Sequence, residues 1–391
     1  MDGTVDFNWW DEPPMDGLDA EAFSVRWTGT MTPETSGPHA VGGRALGRFR
    51  LFVEDSLMVE FQAGHDPQTH WVYLDLEEGR PYAVRLEFST TRPNAEVQMT
   101  WAPPHQDLAT EAVDLARRAD AVIMTMGLSP RLEGEEMPVE IPGFSGGDRT
   151  SLELPQIQRD LMEAVVATGT PVVLVLLNGS AVGLEWAAGN VPAILETWYP
   201  GQAGGTALAQ VLFGDRSPGG RLPVTFYRSV DQLPPFDDYD MSGRTYRYFG
   251  GDPLFPFGFG LSYTTFEYGK LELPREVGTG EEFQVAVEVR NTGDHDGDEV
   301  VQLYVTDLEA SRPQPIRTLQ GFQRIHLEPG EATRAVFNLG PSQLGLVTKD
   351  GTTVVEPGRF RISVGGKQPG FRGTADAPTP QVVEGLVVVR N

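Results

Sequence analysis

The sequence predicts a multidomain protein in which an α/β region with a mostly parallel sheet lies between two β-rich regions. Three observations support this class. A chain of 391 residues is long enough for two or three domains. Both ends of the chain alternate apolar and polar residues in short runs, whereas the middle alternates helical stripes with continuous apolar runs. The predicted domains are residues 1–104, 105–265 and 266–391.

The first region is predicted to be a β-sandwich or a β-barrel. Turn formers such as TSG, EDS and TTRPN separate its alternating runs at intervals typical of those folds. The predicted strands lie in FSVRWTGTM, GRFRLFVEDS, LMVEFQAG, HWVYLDLEEG, PYAVRLEFST and AEVQMTW.

The middle region changes from strand to helix periodicity. The apolar runs AVIMTMG, PVVLVLLNG and PAILETWYPG alternate with helical segments, which predicts a parallel sheet covered by helices on both faces. Residues 214–265 are rich in Gly, Pro and aromatic residues and are predicted to wrap against other surfaces. The clearest helical stripes are Leu108, Ala112, Leu115 and Ala119, followed by Ile157, Leu161 and Val165.

The third region returns to strand periodicity at sandwich spacing. Its acidic run GDHDGDE is predicted to be a hairpin turn, because the glycine is misplaced for a calcium-binding loop. The predicted strands lie in EFQVAVEVRNTG, GDEVVQLYVTD, IRTLQGFQRIHL, GEATRAVFNL and GRFRISVGG.

Charge and composition exclude several classes of partner. The net charge of −25 repels nucleic acid and anionic lipid, whereas a neutral sugar is unaffected by it. No apolar run approaches the roughly 20 residues of a membrane span. The chain has no cysteine and its six histidines are scattered, so neither a metal nor another cofactor is expected. The acidic first residues show no signal peptide, which is consistent with the cytoplasm and leaves export open.

The stretch LEGEEMPVEIPGFSGGDRT, residues 132–150, crowds three glutamates around a glycine soon after the apolar run AVIMTM. Ligands of open parallel sheets bind beyond the carboxyl ends of the strands, so a site is expected here. Position alone leaves a solvated loop and an acid–base site both open. Two rival motifs are incomplete. The G-x-S-x-G of residues 143–147 lacks the flanking strand and helix of a hydrolase nucleophile. PGQAGG lacks the G-K-[ST] of a phosphate loop.

Several motifs, in the same order along the chain, resemble glycoside hydrolase family 3, which contains β-glucosidases and β-xylosidases. They are GLSPRLEGEE, GGDRTSLELPQIQ, PVVLVLLNGSAV, WYPGQAGGTALAQVLFGDRSPGGRLPVTF, RTYRYF and PLFPFGFGLSYTTF. The resemblance implies that residues 105–265 are the C-terminal part of an α/β sandwich domain. It also implies that residues 1–104 are a protective-antigen-type β-domain, truncated at its start, and that residues 266–391 are a fibronectin type III-like β-sandwich.

The same resemblance implies retaining hydrolysis of terminal β-D-glycosidic bonds in oligosaccharides or other β-glycosides. In that mechanism an aspartate is the nucleophile and a glutamate is the general acid/base. Setting Gly134-Glu135-Glu136 against the Gly-Glu-Gly core of the family selects Glu135 as the acid/base, with Glu133 and Glu136 as alternates.

Arg149, in the motif GGDRT, is a weak candidate for substrate binding. It would also hold the glutamate-rich loop by pairing with one of its carboxylates. A structural ion pair with the neighbouring Asp148 is the favoured interpretation of this arginine.

The nucleophile of the family lies on a separate (β/α)8 barrel, usually in a Ser-Asp-Trp-like motif that this sequence lacks. We therefore expect the barrel and the first part of the sandwich domain to be absent, and the parallel sheet to have an exposed apolar edge. The isolated chain is then expected to be a poor or inactive hydrolase, whose site a second chain carrying the barrel would complete. The alternative is a non-catalytic fragment that binds carbohydrate or a protein partner.

Overall fold

The computed structural model describes residues 4–9, 13–104, 107–371 and 382–391, which are arranged mostly in β-sheets. The chain divides into two compact units, residues 1–111 and 112–391. Domain limits at 104/105 and 265/266 remain predictions. In the described ranges, no helix is long and apolar enough to cross a membrane.

The first unit is built from antiparallel strands that surround one hydrophobic core. The described strands form two sheets, in the orders β1-β8-β3-β6 and β2-β7-β4-β5, where the strands are β1 (Asp6–Trp9), β2 (Phe23–Met31), β3 (Gly37–Leu46), β4 (Arg48–Val53), β5 (Ser56–Gln62), β6 (Gln68–Leu76), β7 (Tyr82–Thr90) and β8 (Ala95–Ala102). Both sheets contribute to the core, for example through Val41 of β3 and Leu86 of β7. Successive side chains of a strand point to opposite faces, which explains the alternation in the sequence.

The six strands predicted in this unit are all present, but β1 and β3 were not predicted. The β3 sequence, GPHAVGGRAL, is rich in glycine, a residue type depleted in strands. Nevertheless β3 lies in the interior of its sheet, between β8 and β6. Packing explains the glycine at position 43, because a Cβ there would lie 2.4 Å from Cζ of the Phe49 ring.

The second unit begins with alternating helices and strands. These elements are α1 (Leu108–Arg118), which starts in the first unit, β9 (Val122–Gly127), β10 (Glu140–Ile141), β11 (Phe144–Ser145), β12 (Asp148–Arg149), α2 (Gln156–Val166), β13 (Val172–Leu177), α3 (Glu185–Asn190), β14 (Ala193–Glu196) and α4 (Gly204–Leu212). Strands β14, β13 and β9 pair in parallel, in that order, as the continuous apolar runs predict. The short strands β10, β11 and β12 form an antiparallel sheet of their own.

The predicted apolar stripes of the helices are partly wrong. In α1, Leu108 and Leu115 are exposed and Ala116 is buried instead. The hydroxyl of Thr170 donates a hydrogen bond to the Ala116 carbonyl over 2.8 Å, so this side of the helix lies close to the loop before β13. A close approach favours small side chains over leucine. In α2, Ile157 of the predicted stripe is also exposed.

The segment 214–265 has little regular structure. Its described helical turns are a 3-10 turn at Val230–Gln232 and α5 (Thr245–Tyr248). The prediction that its aromatic residues pack against other surfaces is correct for Phe226, which is buried. It is wrong for Phe236 and Tyr239, which are almost fully exposed.

The last part of the second unit is again β-rich. Its elements are β15 (Phe266–Tyr268), β16 (Glu276–Gly278), β17 (Phe283–Asn291), β18 (Gly297–Asp307), β19 (Thr318–Leu327), β20 (Ala332–Leu339), α6 (Pro341–Leu344), β21 (Leu346–Val347), β22 (Thr353–Val354), β23 (Gly358–Gly365) and β24 (Val382–Arg390). The described sheets β15-β17-β20 and β16-β24-β23-β18-β19 share one hydrophobic core.

The acidic turn between β17 and β18 does not close a hairpin, because these two strands lie in different sheets. That prediction is wrong, and residues 292–296 cross from one sheet to the other. The buried Asn291 supports the crossing. Its Nδ2 donates to the carbonyls of His295 (2.7 Å) and Leu327 (2.9 Å), and its Oδ1 accepts a hydrogen bond from the Thr264 hydroxyl (2.6 Å).

Candidate functional site

The candidate site lies at the edge where the three parallel strands end. The pairing aligns Gly127 of β9 with Leu177 of β13, and Leu176 of β13 with Glu196 of β14. The carboxyl ends of all three strands therefore meet at one edge of the sheet, where ligands of open parallel sheets bind.

The loop after β9 carries the three candidate glutamates, and we call residues 129–137 the carboxylate loop. Backbone hydrogen bonds fix both of its sides. The Ser129 carbonyl accepts from the amide of Glu133 over 3.0 Å. The amide of Gly134 donates to the Gly147 carbonyl over 3.2 Å, and the amide of Met137 donates to the Gly146 carbonyl over 2.8 Å. The loop is therefore held against the turn between β11 and β12.

Glycine is required at Gly147, where the carboxylate loop and that turn come closest. Its φ of 90° lies in the left-handed region, which favours glycine. A Cβ at Gly147 would also lie 2.2 Å from the Gly134 carbonyl oxygen. The positive φ and the close approach of Gly134 thus explain the second glycine of the motif GGD.

Glu133 is the glutamate that is bonded to the rest of the site. Its Oε1 accepts a hydrogen bond from the hydroxyl of Ser180 over 3.3 Å. Ser180 lies in the loop after β13, and its Oγ accepts in turn from Nη1 of Arg149 over 2.8 Å. One serine hydroxyl thus connects the carboxylate of Glu133 with the guanidinium of Arg149.

Arg149 binds mainly backbone carbonyl oxygens. Besides its bond to Ser180, its Nε donates to Ser151 O (3.2 Å), its Nη2 to Leu152 O (2.6 Å) and its Nη1 to Ala181 O (2.9 Å). Burial lowers the pKa of Arg149, and the charge of Glu133 opposes this shift. All three nitrogens are used inside the protein, so the arrangement favours a positioning role over direct contact with a substrate.

The favoured ion pair between Arg149 and Asp148 does not form among the described residues. The two residues are adjacent in β12, and successive side chains of a strand point in opposite directions. Arg149 is turned toward the protein, whereas Asp148 is exposed.

Asn178 and Glu196 connect the ends of the other two strands, and neither was among the candidate residues. Asn178 is fully buried, and its Nδ2 donates to the Ser180 carbonyl (2.9 Å) and to Glu196 Oε2 (3.1 Å). Glu196 Oε1 accepts from the amide of Trp198 over 2.9 Å. Burial raises the pKa of Glu196, although both hydrogen bonds act to lower it. The sequence feature that could have identified them is their position, since Asn178 directly follows the apolar run of β13 and Glu196 ends that of β14.

The loop after β14 brings aromatic residues to the same edge. Trp198 has a positive φ of 53°, which is uncommon outside glycine and often marks functional sites. The ring of the next residue, Tyr199, lies against Gly179, where a Cβ would be 2.7 Å from the Tyr199 Cε2. Burial raises the pKa of the Tyr199 hydroxyl, and the charge of Glu133 adds to the shift.

Glu135 and Glu136 are both exposed on the carboxylate loop. Within the described ranges, neither side chain makes a hydrogen bond or an ion pair. Glu136 has a positive φ of 48°, so the backbone turns sharply at this residue. In the same ranges, no group of three or more His, Cys, Asp or Glu side chains is placed to hold a metal ion.

Comparison with known proteins places the chain in a family. Residues 2–263 match the family model for the C-terminal domain of glycosyl hydrolase family 3. The chain belongs to glycosyl hydrolase family 3. Residues 299–368 match a fibronectin type III-like domain, as the third region predicts. The resemblance noted in the sequence motifs is thereby confirmed.

Two relatives cover most of this family 3 chain. A xylan 1,4-β-xylosidase of Xylanibacter ruminicola is 39% identical over 351 residues, which are 89% of this chain and 40% of the relative. A β-glucosidase of Rhizobium radiobacter is 34% identical over 395 residues, covering 92% of this chain and 46% of the relative. This chain therefore spans less than half the length of either relative.

Solved structures agree with the assignment. A crystal structure of a β-glucosidase from Kluyveromyces marxianus superposes with a TM-score of 0.78 at 26% sequence identity. It covers 99% of this chain and 48% of that protein. A β-glucosidase from Erythrobacter marinus has a TM-score of 0.63 at 39% identity over 75% of this chain, and the match covers 38% of that protein.

Proposed function

We propose that this chain supplies the general acid/base of a retaining glycosidase that hydrolyses terminal β-D-glycosidic bonds, and that Glu135 is that residue. The observation that carries the proposal is the contrast between Glu133 and Glu135 in the carboxylate loop. Glu133 is bonded to Ser180, whereas Glu135, two positions later, is exposed and has no partner among the described residues. A proton donor must reach a glycosidic oxygen, and a carboxyl group without a partner is free to do so. Glu136 is equally exposed, and the Gly-Glu-Gly core of the family is what selects Glu135 over it.

The surrounding bonds support the proposal by fixing the loop. Arg149 and Ser180 hold Glu133, and the amide of Gly134 is bonded to Gly147. The two residues before Glu135, Glu133 and Gly134, are therefore anchored, and Glu135 projects from a fixed part of the loop. Fixed geometry matters in acid–base catalysis, because the catalytic group must lie within hydrogen-bond distance of the atom that it protonates.

The nucleophile would come from a barrel domain outside these 391 residues, in the same polypeptide or in a separate chain. A retaining mechanism needs the two carboxyl groups about 5–5.5 Å apart on either side of the scissile bond. A barrel and a bound sugar would also remove water from the carboxylate loop, and desolvation favours the neutral, proton-donating form of a carboxyl group. The β-xylosidase and β-glucosidase relatives make xylosides and glucosides the substrates to test first.

The proposal is tested with Glu135→Gln in the 391-residue chain, mixed with a separately produced family 3 barrel domain. Hydrolysis of alkyl β-glycosides, whose poor leaving groups need a proton, should fall about 10²–10⁴-fold. For dinitrophenyl β-glycosides, kcat/KM reports the step that breaks the glycosidic bond and should fall much less, because that leaving group departs without a proton. Their kcat should still fall, since the same residue acts as the base when water attacks the glycosyl-enzyme.

Glu136→Gln is the matched control and should keep most of the activity. Glu133→Gln should lower the hydrolysis of both substrates together, because it loosens the loop rather than removing the acid. Equal losses of kcat/KM for alkyl and dinitrophenyl substrates in Glu135→Gln would exclude it as the proton donor. Glycan binding without hydrolysis in every mixture would instead support a non-catalytic binding fragment.

A further inference from the structure

The sheet β1-β8-β3-β6 of the first unit has an outward face that differs from an ordinary solvated surface. The strand register places six residues side by side on this face, and we call them the platform: Trp71 and Tyr73 of β6, Ala40 and Gly42 of β3, and Thr100 and Ala102 of β8. Their neighbours along each strand, such as Val41 and Val97, point to the opposite face and into the core.

Two large aromatic side chains on the platform are exposed. Trp71 is 55% exposed and Tyr73 is 70% exposed. Being two positions apart in one strand, their Cα atoms are about 6.8 Å apart and their rings project from the same side. No hydrogen bond or ring contact is made by either side chain to the described residues. Tyrosine and tryptophan are enriched at interfaces, and contiguous exposed apolar patches mark binding surfaces.

The residues next to the aromatic pair are small, which leaves a flat surface. Gly42 pairs with Trp71, and Ala40 pairs with Tyr73. A Cβ at Gly42 would lie 2.1 Å from the His70 carbonyl oxygen, so no larger residue fits beside Trp71. A ligand can therefore lie across the sheet, in contact with the rings and the small residues together.

Two pairs of polar residues beyond the platform are bonded to each other, whereas Asp75, two positions after Tyr73, is exposed. Gln98 Nε2 donates to Asp6 Oδ2 over 2.9 Å, and Arg44 Nε donates to Glu96 Oε1 over 2.8 Å. The arginine charge is thus balanced by a carboxylate, and the amide and carboxylate oxygens remain able to accept bonds from hydroxyl groups. In a chain of net charge −25, such a face suits a neutral ligand rather than an acidic one.

We propose that the platform is a non-catalytic binding site for a neutral β-glycan chain. A pyranose ring offers a flat apolar face for Trp71 or Tyr73 and a rim of hydroxyl groups for the polar residues beside them. A protein partner fits less well, because stable protein interfaces bury about 800 Å² on each side and two rings among small residues provide little of that area. Membership in a glycosidase family supports a glycan as ligand but leaves catalysis at the carboxylate loop a separate question.

The test measures binding of soluble arabinoxylan, mixed-linkage β-glucan and cello-oligosaccharides to the 391-residue chain by isothermal titration calorimetry. The expected result is binding of at least one neutral glycan that weakens by about tenfold or more in the double variant Trp71→Ala with Tyr73→Ala. The conservative double variant Trp71→Tyr with Tyr73→Phe should keep most of the affinity, which excludes misfolding as the cause of the loss.

The matched control removes another exposed aromatic pair, Phe236→Ala with Tyr239→Ala, and should bind as the unchanged chain does. Glu135→Gln should also bind as the unchanged chain does, so a failure of the catalytic proposal would leave this one standing. The proposal is overturned if no glycan binds at millimolar concentration. It is equally overturned if the alanine variant binds normally, or if Trp71 and Tyr73 are found to mediate self-association instead.

Discussion

The side-chain amide of Asn178 donates a hydrogen bond to Glu196 Oε2 over 3.1 Å, and this bond joins the ends of two neighbouring parallel strands. The same amide nitrogen donates to the carbonyl of Ser180, whose hydroxyl reaches Glu133. A continuous set of hydrogen bonds therefore runs from the third strand of the sheet to the carboxylate loop. Each of these hydrogen bonds has an ordinary length, and together they fix the loop that carries Glu135.

Glu196 should make the stability of this region depend on pH. Its pKa is raised by burial above the ordinary 4.5, so the folded state binds the proton more tightly than the unfolded chain does. The stabilisation is complete below about pH 4.5 and is lost as the pH rises through the folded pKa. Glu196→Gln cannot ionise. The urea midpoint of this variant, relative to the unchanged chain, should therefore rise as the pH increases above about 4.5.

The control for this measurement is Glu163→Gln, which changes an exposed glutamate of α2. The midpoint difference of Glu196→Gln is compared with that of this control at each pH. A Glu196→Gln difference that does not vary with pH would show that the carboxyl group of Glu196 is not perturbed by its surroundings.

The elements around this site can be predicted from the sequence, and the reason is physical. A strand inside a parallel sheet covered on both faces is continuously apolar, and β13 is recognisable as VVLVLL for this reason. The run VIMTMG identifies β9, although Ile123 and Thr125 on one of its faces are exposed. The rule that sites lie beyond the carboxyl ends of such strands then places Glu133, Glu135 and Glu136 correctly at the sheet edge. Helical periodicity fails for α1, where Leu108 and Leu115 of the predicted stripe are exposed and Val113 and Ala116 face the core instead.

The contacts within the site cannot be predicted in this way. Arg149 and Ser180 are 31 positions apart, and Asn178 and Glu196 are 18 positions apart. Whether such residues meet depends on how two loops fold back over the sheet, and neither composition nor periodicity contains that information. The expected ion pair of Arg149 with Asp148 is wrong for a different, local reason, because the two residues are neighbours in a strand and their side chains point to opposite sides.

Arg149 should be irreplaceable by lysine. Its planar guanidinium bonds to Ser180, Ala181, Leu152 and Ser151 in different directions, whereas the single ammonium nitrogen of lysine cannot reach all four. Each carbonyl left without a donor costs about 1–3 kcal/mol when buried. We expect Arg149→Lys to lower the free energy of unfolding by at least about 1–3 kcal/mol.

Hydrogen exchange provides the local measurement for this variant. Amides of residues 129–137 should exchange faster in Arg149→Lys, because the loop loses its anchor through Ser180. Arg131→Lys is the control, since the side chain of Arg131 is exposed and is not hydrogen-bonded in the described structure. Unchanged exchange in the carboxylate loop of Arg149→Lys would show that the arginine does not hold it.

A buried ion pair attaches the segment 214–265 to the β-rich end of the second unit. Arg221 Nη2 lies 3.0 Å from Glu299 Oε1 of β18, and the two side chains are only 6% and 0% exposed. Burial raises the pKa of Glu299, which the charge of Arg221 opposes. The nearby Tyr268 is also buried, and its pKa is raised well above 10 by burial and by the charge of Glu299.

Removing one member of this pair should be more damaging than removing both. Arg221→Met leaves the carboxylate of Glu299 buried without its cation, so we expect a loss of about 3–5 kcal/mol in unfolding free energy. Adding Glu299→Leu removes the stranded charge and should recover part of that loss. Arg334→Met, which breaks the exposed pair with Glu272, should cost less than about 1 kcal/mol. Urea unfolding decides the order, and a double variant less stable than Arg221→Met would contradict it.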